Sequence, residues 1–76
     1  MNETILIVDD EREIADLVEV YLRNDGYQVR KCYDAASALA FTEREEPDLA
    51  LLDVMLPDMD GFALCQRIRE HHLFPI

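Results

Sequence analysis

Two short apolar runs in this sequence end in aspartate. Thr4-Ile5-Leu6-Ile7-Val8 leads into Asp9-Asp10-Glu11, and Asp48-Leu49-Ala50-Leu51-Leu52 leads into Asp53. Carboxylates held together repel one another, and the usual relief is a proton or a divalent cation. With no Cys or His beside either run, the donors are all oxygen, which suits Mg²⁺ or Mn²⁺ rather than zinc. A carboxylate next to such an ion can also attack a phosphoryl group, because the cation neutralises charge on the attacking and transferring oxygens. This chemistry requires the ends of the two runs to be neighbours.

The elements between the runs supply that condition. The first run, Thr4–Val8, is continuous and β-branched, as in a strand covered on both faces. Ile14, Leu17, Val18, Tyr21 and Leu22 then recur at helical spacing among charged residues, with Asp10 or Glu11 at the start and Gly26 as the stop. Residues 27–32 alternate as a second strand. Asp34 can cap a helix over 35–45, with Leu39 and Phe41 inward, and Pro47 closes it. Residues 48–52 form the third strand. A loop over 54–60, with Pro57, Asp58 and Asp60, reaches Gly61 and a helix to about His72, whose apolar side is Phe62, Leu64, Cys65 and Ile68. Pro75-Ile76 reads as the entry to a fourth strand. Strands joined by helices of this length build a parallel α/β sheet, and sites in such sheets form beyond the carboxyl ends of the strands.

Composition narrows the field. The chain has 76 residues, half of them hydrophobic, with a formal charge of −10 from 17 acids and 7 bases. An acidic surface speaks against binding to nucleic acid or anionic membranes. No apolar run approaches the roughly 18–20 residues of a membrane span, and no basic start leads into a signal-peptide core. Cys32 and Cys65 lack metal-type spacing and read as free thiols in a reducing cytosol. A chain this short buries only about 60% of its unfolded surface, so its core is thin. No linker, repeat or second domain is visible, and an uncovered sheet edge is a hazard for self-association or swapping.

These residues carry a resemblance. Ile5-Leu6-Ile7-Val8-Asp9-Asp10-Glu11, followed by Asp48-Leu49-Ala50-Leu51-Leu52-Asp53-Val54-Met55-Leu56-Pro57-Asp58-Met59-Asp60-Gly61, resembles the receiver domain of bacterial two-component response regulators. The resemblance implies a flavodoxin-like α/β fold with a parallel sheet. It further implies that Asp53 accepts a phosphoryl group from a sensor histidine kinase, with Mg²⁺ as cofactor (Mn²⁺ as a substitute). Asp10 would ligate the ion directly, Asp9 would act through water, and the backbone carbonyl of Met55 would complete the protein ligands. Pro57 and Gly61 would shape the loop over the site. The first helix is similar to that of regulators with a winged-helix DNA-binding output, vancomycin-resistance regulators among them.

The same resemblance implies partners that these residues do not include. The family's fourth strand ends in Ser or Thr and its fifth in Lys, and both touch the phosphoryl group. The only lysine here is Lys31, in the second strand, and Arg67 and Arg69 on the third helix should not substitute. Residues 1–76 are therefore expected to be an incomplete receiver domain, with any DNA contact made by an absent output domain. The expected location is cytoplasmic, and the expected role is that of a phosphoacceptor rather than a turnover enzyme.

Other readings attach to single residues. An isolated Asp10 would be a helix cap, and Asp53 alone would be a turn residue. Asp58 and Asp60 read as loop or cap acids, Glu11 as a solvated first-turn acid, and His71 and His72 as surface residues. Two rival functions remain: a docking or oligomerisation fragment whose acids are merely surface, and a Mg²⁺-dependent phosphatase with an aspartate nucleophile. The latter would place a second acid two residues after the nucleophile, where this chain has Met55.

Overall fold

The computed structural model describes residues 2–76. Strands and helices alternate as β1 (Thr4–Val8), α1 (Arg12–Asn24), β2 (Gln28–Cys32), α2 (Ala35–Arg44), β3 (Leu49–Leu52) and α3 (Gly61–Arg69). The sheet is parallel, in the order β2-β1-β3. β1 is therefore central, and Ile5, Leu6, Ile7 and Val8 are all buried. Burial on both faces is why that run is apolar without alternation.

The helices divide between the two faces. On one, Ile7 and Val29 meet Ala15 of α1, flanked by Val18, Leu22 and Tyr33. On the other, Leu6, Val8, Cys32 and Ala50 meet Ala35, Ala38 and Phe41 of α2, Leu64 and Ile68 of α3, and Phe74. Leu39, expected inward, only partly joins this cluster.

Two apolar stripes turn outward more than their spacing implies. In α1, Ile14, Leu17 and Tyr21 are exposed and only Ala15, Val18 and Leu22 reach the sheet. Among the described residues three strands lie beneath, too narrow a floor for an apolar face this wide. In α3, Phe62 is exposed, while Leu64 and Ile68 carry the packing, and the helix stops at Arg69 rather than near His72. Burial at i and i+4 is enough to seat a helix this short.

The local stops follow expectation. Asp34 accepts from the Ser37 amide at 2.8 Å and caps α2. After α1, Gly26 takes φ +93°, the left-handed conformation that glycine adopts without strain. The sheet's two outer edges differ. Beside β2, Lys31 Nζ lies 2.6 Å from Asp16 and 2.7 Å from Glu19, and Arg23 bonds Glu19 at 2.8 Å. Charged chains over an edge strand discourage pairing with another chain. Beside β3, the Ala50 amide donates to the Pro75 carbonyl at 2.9 Å, so the chain starts along this edge, although Pro75-Ile76 is not itself a strand.

Candidate functional site

Strand register builds the site. Val8 pairs with Leu52 across β1 and β3, so the next residues, Asp9 and Asp53, emerge side by side at the carboxyl end of the sheet. Each backbone is held one step beyond its strand. The Asp53 amide donates to the Val8 carbonyl at 2.9 Å, and the Asp9 amide donates to the Cys32 carbonyl at 3.1 Å. β1 has β2 on one side and β3 on the other, so this is the point where the sheet order reverses, the usual place for a site in an open α/β fold.

One oxygen from each of Asp9, Asp10 and Asp53 lies within 4.8 Å of the others, the one such acidic group among the described residues. Asp9 and Asp53 are half-buried and Asp10 is exposed. Asp9 Oδ1 accepts from the Glu11 amide at 2.9 Å, which turns the chain out of β1 and into α1. Glu11 holds the cap position of α1 but makes no side-chain cap bond. Asp10 is therefore not the cap that an isolated acid before a helix would be; it belongs spatially to the cluster. The donor set is three carboxylates, partly open to water, without thiolate or imidazole. That fits Mg²⁺, a hard ion that keeps several waters beside one or two carboxylates.

The loop after β3 is closed on itself. The Gly61 amide donates to the Val54 carbonyl at 2.7 Å, and Met55 and Asp60 form an isolated antiparallel bridge. The Met55 amide also donates to Asp53 Oδ1 at 3.2 Å, while its side chain is exposed. Leu56 and Met59 pack against the core beneath α2 and α3. Gly61 lies so close to Asp53 and Val54 that a Cβ there would run into their backbone.

Asp58 and Asp60 are caps, as their type suggested, but of different helices. Asp60 accepts from the Ala63 amide at 2.8 Å and caps its own helix, α3. Asp58 crosses to α2, where its two oxygens accept from the Ala35 and Ala36 amides at 2.9 and 3.0 Å. Those two amides hold its carboxyl below the usual carboxylate range. Nothing in linear spacing announces this tie, because its partners stand 23 and 22 residues away.

The basic residues weighed as substitutes for the family's Lys have other places. Lys31 is engaged by Asp16 and Glu19, which push its pKa up. Arg67 and Arg69 lie in the last turn of α3, about 10 Å along the helix from Gly61. His72 bonds Glu46 at 2.7 Å, also away from the site.

Comparison with known proteins agrees with this architecture. Residues 5–76 match the model of the response regulator receiver domain. The whole chain is 58% identical to the regulatory protein VanRc of Enterococcus gallinarum and 55% identical to VanR of Enterococcus faecium. It spans 33% of the length of each of these relatives. Among solved structures, a two-component response regulator from Clostridium difficile superposes with a TM-score of 0.96 at 28% identity, covering 99% of this chain and 62% of that one. TrrA of Thermotoga maritima, solved in complex with Mg²⁺–BeF, gives 0.86 at 31% identity, covering 90% of this chain and 59% of its own. In its complex with the histidine kinase ThkA, TrrA gives 0.87 at 30% identity, covering 92% and 60%. No helix among the described residues is long and apolar enough to cross a membrane. By family match over nearly its whole length, and by a fold that carries its acids at the sheet's carboxyl end, the chain belongs to the response regulator receiver domains.

Proposed function

We propose that Asp53 is the phosphoacceptor of this receiver domain and that Asp9, Asp10 and Asp53, with the Met55 carbonyl, hold Mg²⁺. The observation that carries this reading is the convergence of the three carboxylates at the carboxyl ends of β1 and β3. Asp10 and Asp53 would be direct ligands, and Asp9 would act through water. The bound cation would neutralise negative charge as the phosphoryl group approaches a carboxylate. An Asp53 oxygen attacks phosphorus, the bond from phosphorus to the donor's imidazole nitrogen breaks, and the electron pair leaves with that nitrogen. The half-buried Asp53, its backbone fixed by the hydrogen bond its amide donates to the Val8 carbonyl, is oriented before the donor arrives.

The donor is a sensor histidine kinase, a partner class supported by the complex of TrrA with ThkA. The whole protein works in the cytoplasm and controls transcription, reaching DNA through an output domain outside these residues, a reading in keeping with relatives that are named regulatory proteins and are about three times as long. Residues 1–76 form an incomplete receiver unit that takes part in its own phosphorylation and does not turn over substrate. Any association of two copies would run through the sheet edge beside β3.

Incubation with a small-molecule phosphodonor and Mg²⁺, followed by intact mass, tests the assignment. One added phosphoryl group is expected in the wild type and none in Asp53→Asn. Equal uptake by both proteins sinks the Asp53 assignment. Size measured across a wide concentration range tests the second surface, and a strictly monomeric species removes it.

A further inference from the structure

We propose that Asp58 is a positioning residue for the Asp53 site, tying the tip of the loop after β3 to α2 and so setting where the Met55 backbone stands. This rests on the reading of Asp53 and Met55 given above.

The loop has a pinched base and a tip that is held only through its contacts with the rest of the fold. Its base is closed by the Gly61–Val54 bond of 2.7 Å and by the Met55–Asp60 bridge. Met55 itself gains no anchorage from its side chain, which is 80% exposed. Its backbone is therefore held from the base, by its own amide's hydrogen bond to Asp53 Oδ1 at 3.2 Å and, through residues 56–59, from the tip. At the tip Leu56 and Met59 give apolar contact, which fixes depth better than direction. Asp58 supplies direction, because both of its oxygens are engaged, one on the Ala35 amide at 2.9 Å and one on the Ala36 amide at 3.0 Å.

The division of labour at the start of α2 shows that this tie is more than a cap. Asp34, from the helix's own chain, already satisfies the Ser37 amide at 2.8 Å. Asp58, from the loop after β3, takes the two amides before that one, those of Ala35 and Ala36, and two amides on one carboxylate make a charge-assisted, bidentate contact. Breaking either contact weakens the same end of α2. Only breaking the Asp58 contact also frees the loop.

That difference makes the test. The 76-residue chain, its Asp58→Ala and Asp58→Asn variants, and Asp34→Ala are titrated with MgCl₂, following binding by calorimetry and by the amide resonances of residues 53–61. Each alanine variant removes one negative charge and one contact to α2, so Asp34→Ala controls for both. Asp58→Ala is expected to bind Mg²⁺ about tenfold more weakly, the lower end of the loss seen when support of a metal ligand is removed. Asp58→Asn keeps a carbonyl acceptor and should fall between it and the wild type. Asp34→Ala should melt earlier yet bind Mg²⁺ as the wild type does. Wild-type affinity in Asp58→Ala overturns this inference alone, as does an equal loss in Asp34→Ala. If Asp58→Ala does not fold, unchanged affinity in Asp58→Asn overturns it. A wild-type chain that does not bind Mg²⁺ overturns the underlying assignment of the metal site instead.

Discussion

Replacing Gly61 with alanine would place a methyl group against backbone rather than against side chains. Gly61 is buried, and its φ is not positive, so alanine suffers no conformational penalty there. The obstacle is contact. A Cβ would stand 2.9 Å from Val54 Cα and 3.0 Å from the Asp53 carbonyl carbon, and closer still to the Asp53 carbonyl oxygen. Unstrained carbon–carbon contacts begin near about 3.5 Å, so each must open by roughly 0.5 Å or more. No rotamer change relieves this, because every opposing atom is main chain. The segment that must move carries Asp53 and is tied to β1 by the bond from the Asp53 amide to Val8. Overpacking of this kind costs about 1–3 kcal/mol. At about 4–8 °C per kcal/mol for a small domain, the expected fall in Tm is roughly 4–24 °C. A shift of about 1 Å at the nucleophile can lower the phosphorylation rate by up to about 100-fold. The assays are far-UV circular dichroism on heating, and the rate of phosphoryl uptake by intact mass at a temperature where both proteins are folded. A Gly61→Ala protein that melts with the wild type and is phosphorylated at the same rate would refute the close approach.

Gly26→Ala should behave in the opposite way. Nothing lies within 4 Å of its Cβ position, but its φ of +93° disfavours alanine, so a loss of about 1 kcal/mol is expected with phosphorylation per folded molecule unchanged. A change in phosphorylation rate would show that the two ends of the molecule are coupled. Cys32 is buried, and burial raises its thiol pKa, whereas Cys65 is half-exposed. A thiol reagent should therefore modify Cys65 in the native protein and reach Cys32 only on unfolding; equal rates without denaturant would contradict this packing. Acid should destabilise the fold through Glu19 and Asp58. Glu19 is held below its ordinary 4.5 by Lys31 and then Arg23, and Asp58 below 3.8 by the Ala35 and Ala36 amides. A lowered carboxylate contributes stability that is present above its unfolded pKa and lost as pH falls through the folded value. Tm should be level from neutrality to about pH 5 and decline below it, and Glu19→Gln or Asp58→Asn should decline less steeply.

Element order and the caps were legible because they are local, and strands alternating with helices leave a parallel sheet as the arrangement that short connections allow. An unbroken apolar run marks a strand covered twice, and Asp34 and Asp60 stand at spacings that let them cap α2 and α3. The amphipathic stripes were legible only as stripes. Spacing says that Ile14, Leu17 and Tyr21 share a side with Val18 and Leu22, but how much of that side is covered depends on the sheet beneath it. The same holds for Phe62, whose apolar character does not reveal that Leu64 and Ile68 suffice to seat α3.

The sequence by itself determined the chemistry available here: two strand ends carrying carboxylates, no competing soft ligands, and a loop motif shared with receiver domains. Those are properties of residue type and near-neighbour spacing. Tertiary structure alone decided that Asp9, Asp10 and Asp53 meet, because their distance depends on β1 and β3 pairing in the register that sets Val8 against Leu52. It alone revealed Asp58 reaching across to α2, and Gly61 pressed against the Asp53 backbone. Contacts between residues far apart in the chain are made by packing, and packing is a property of the whole fold rather than of any one segment.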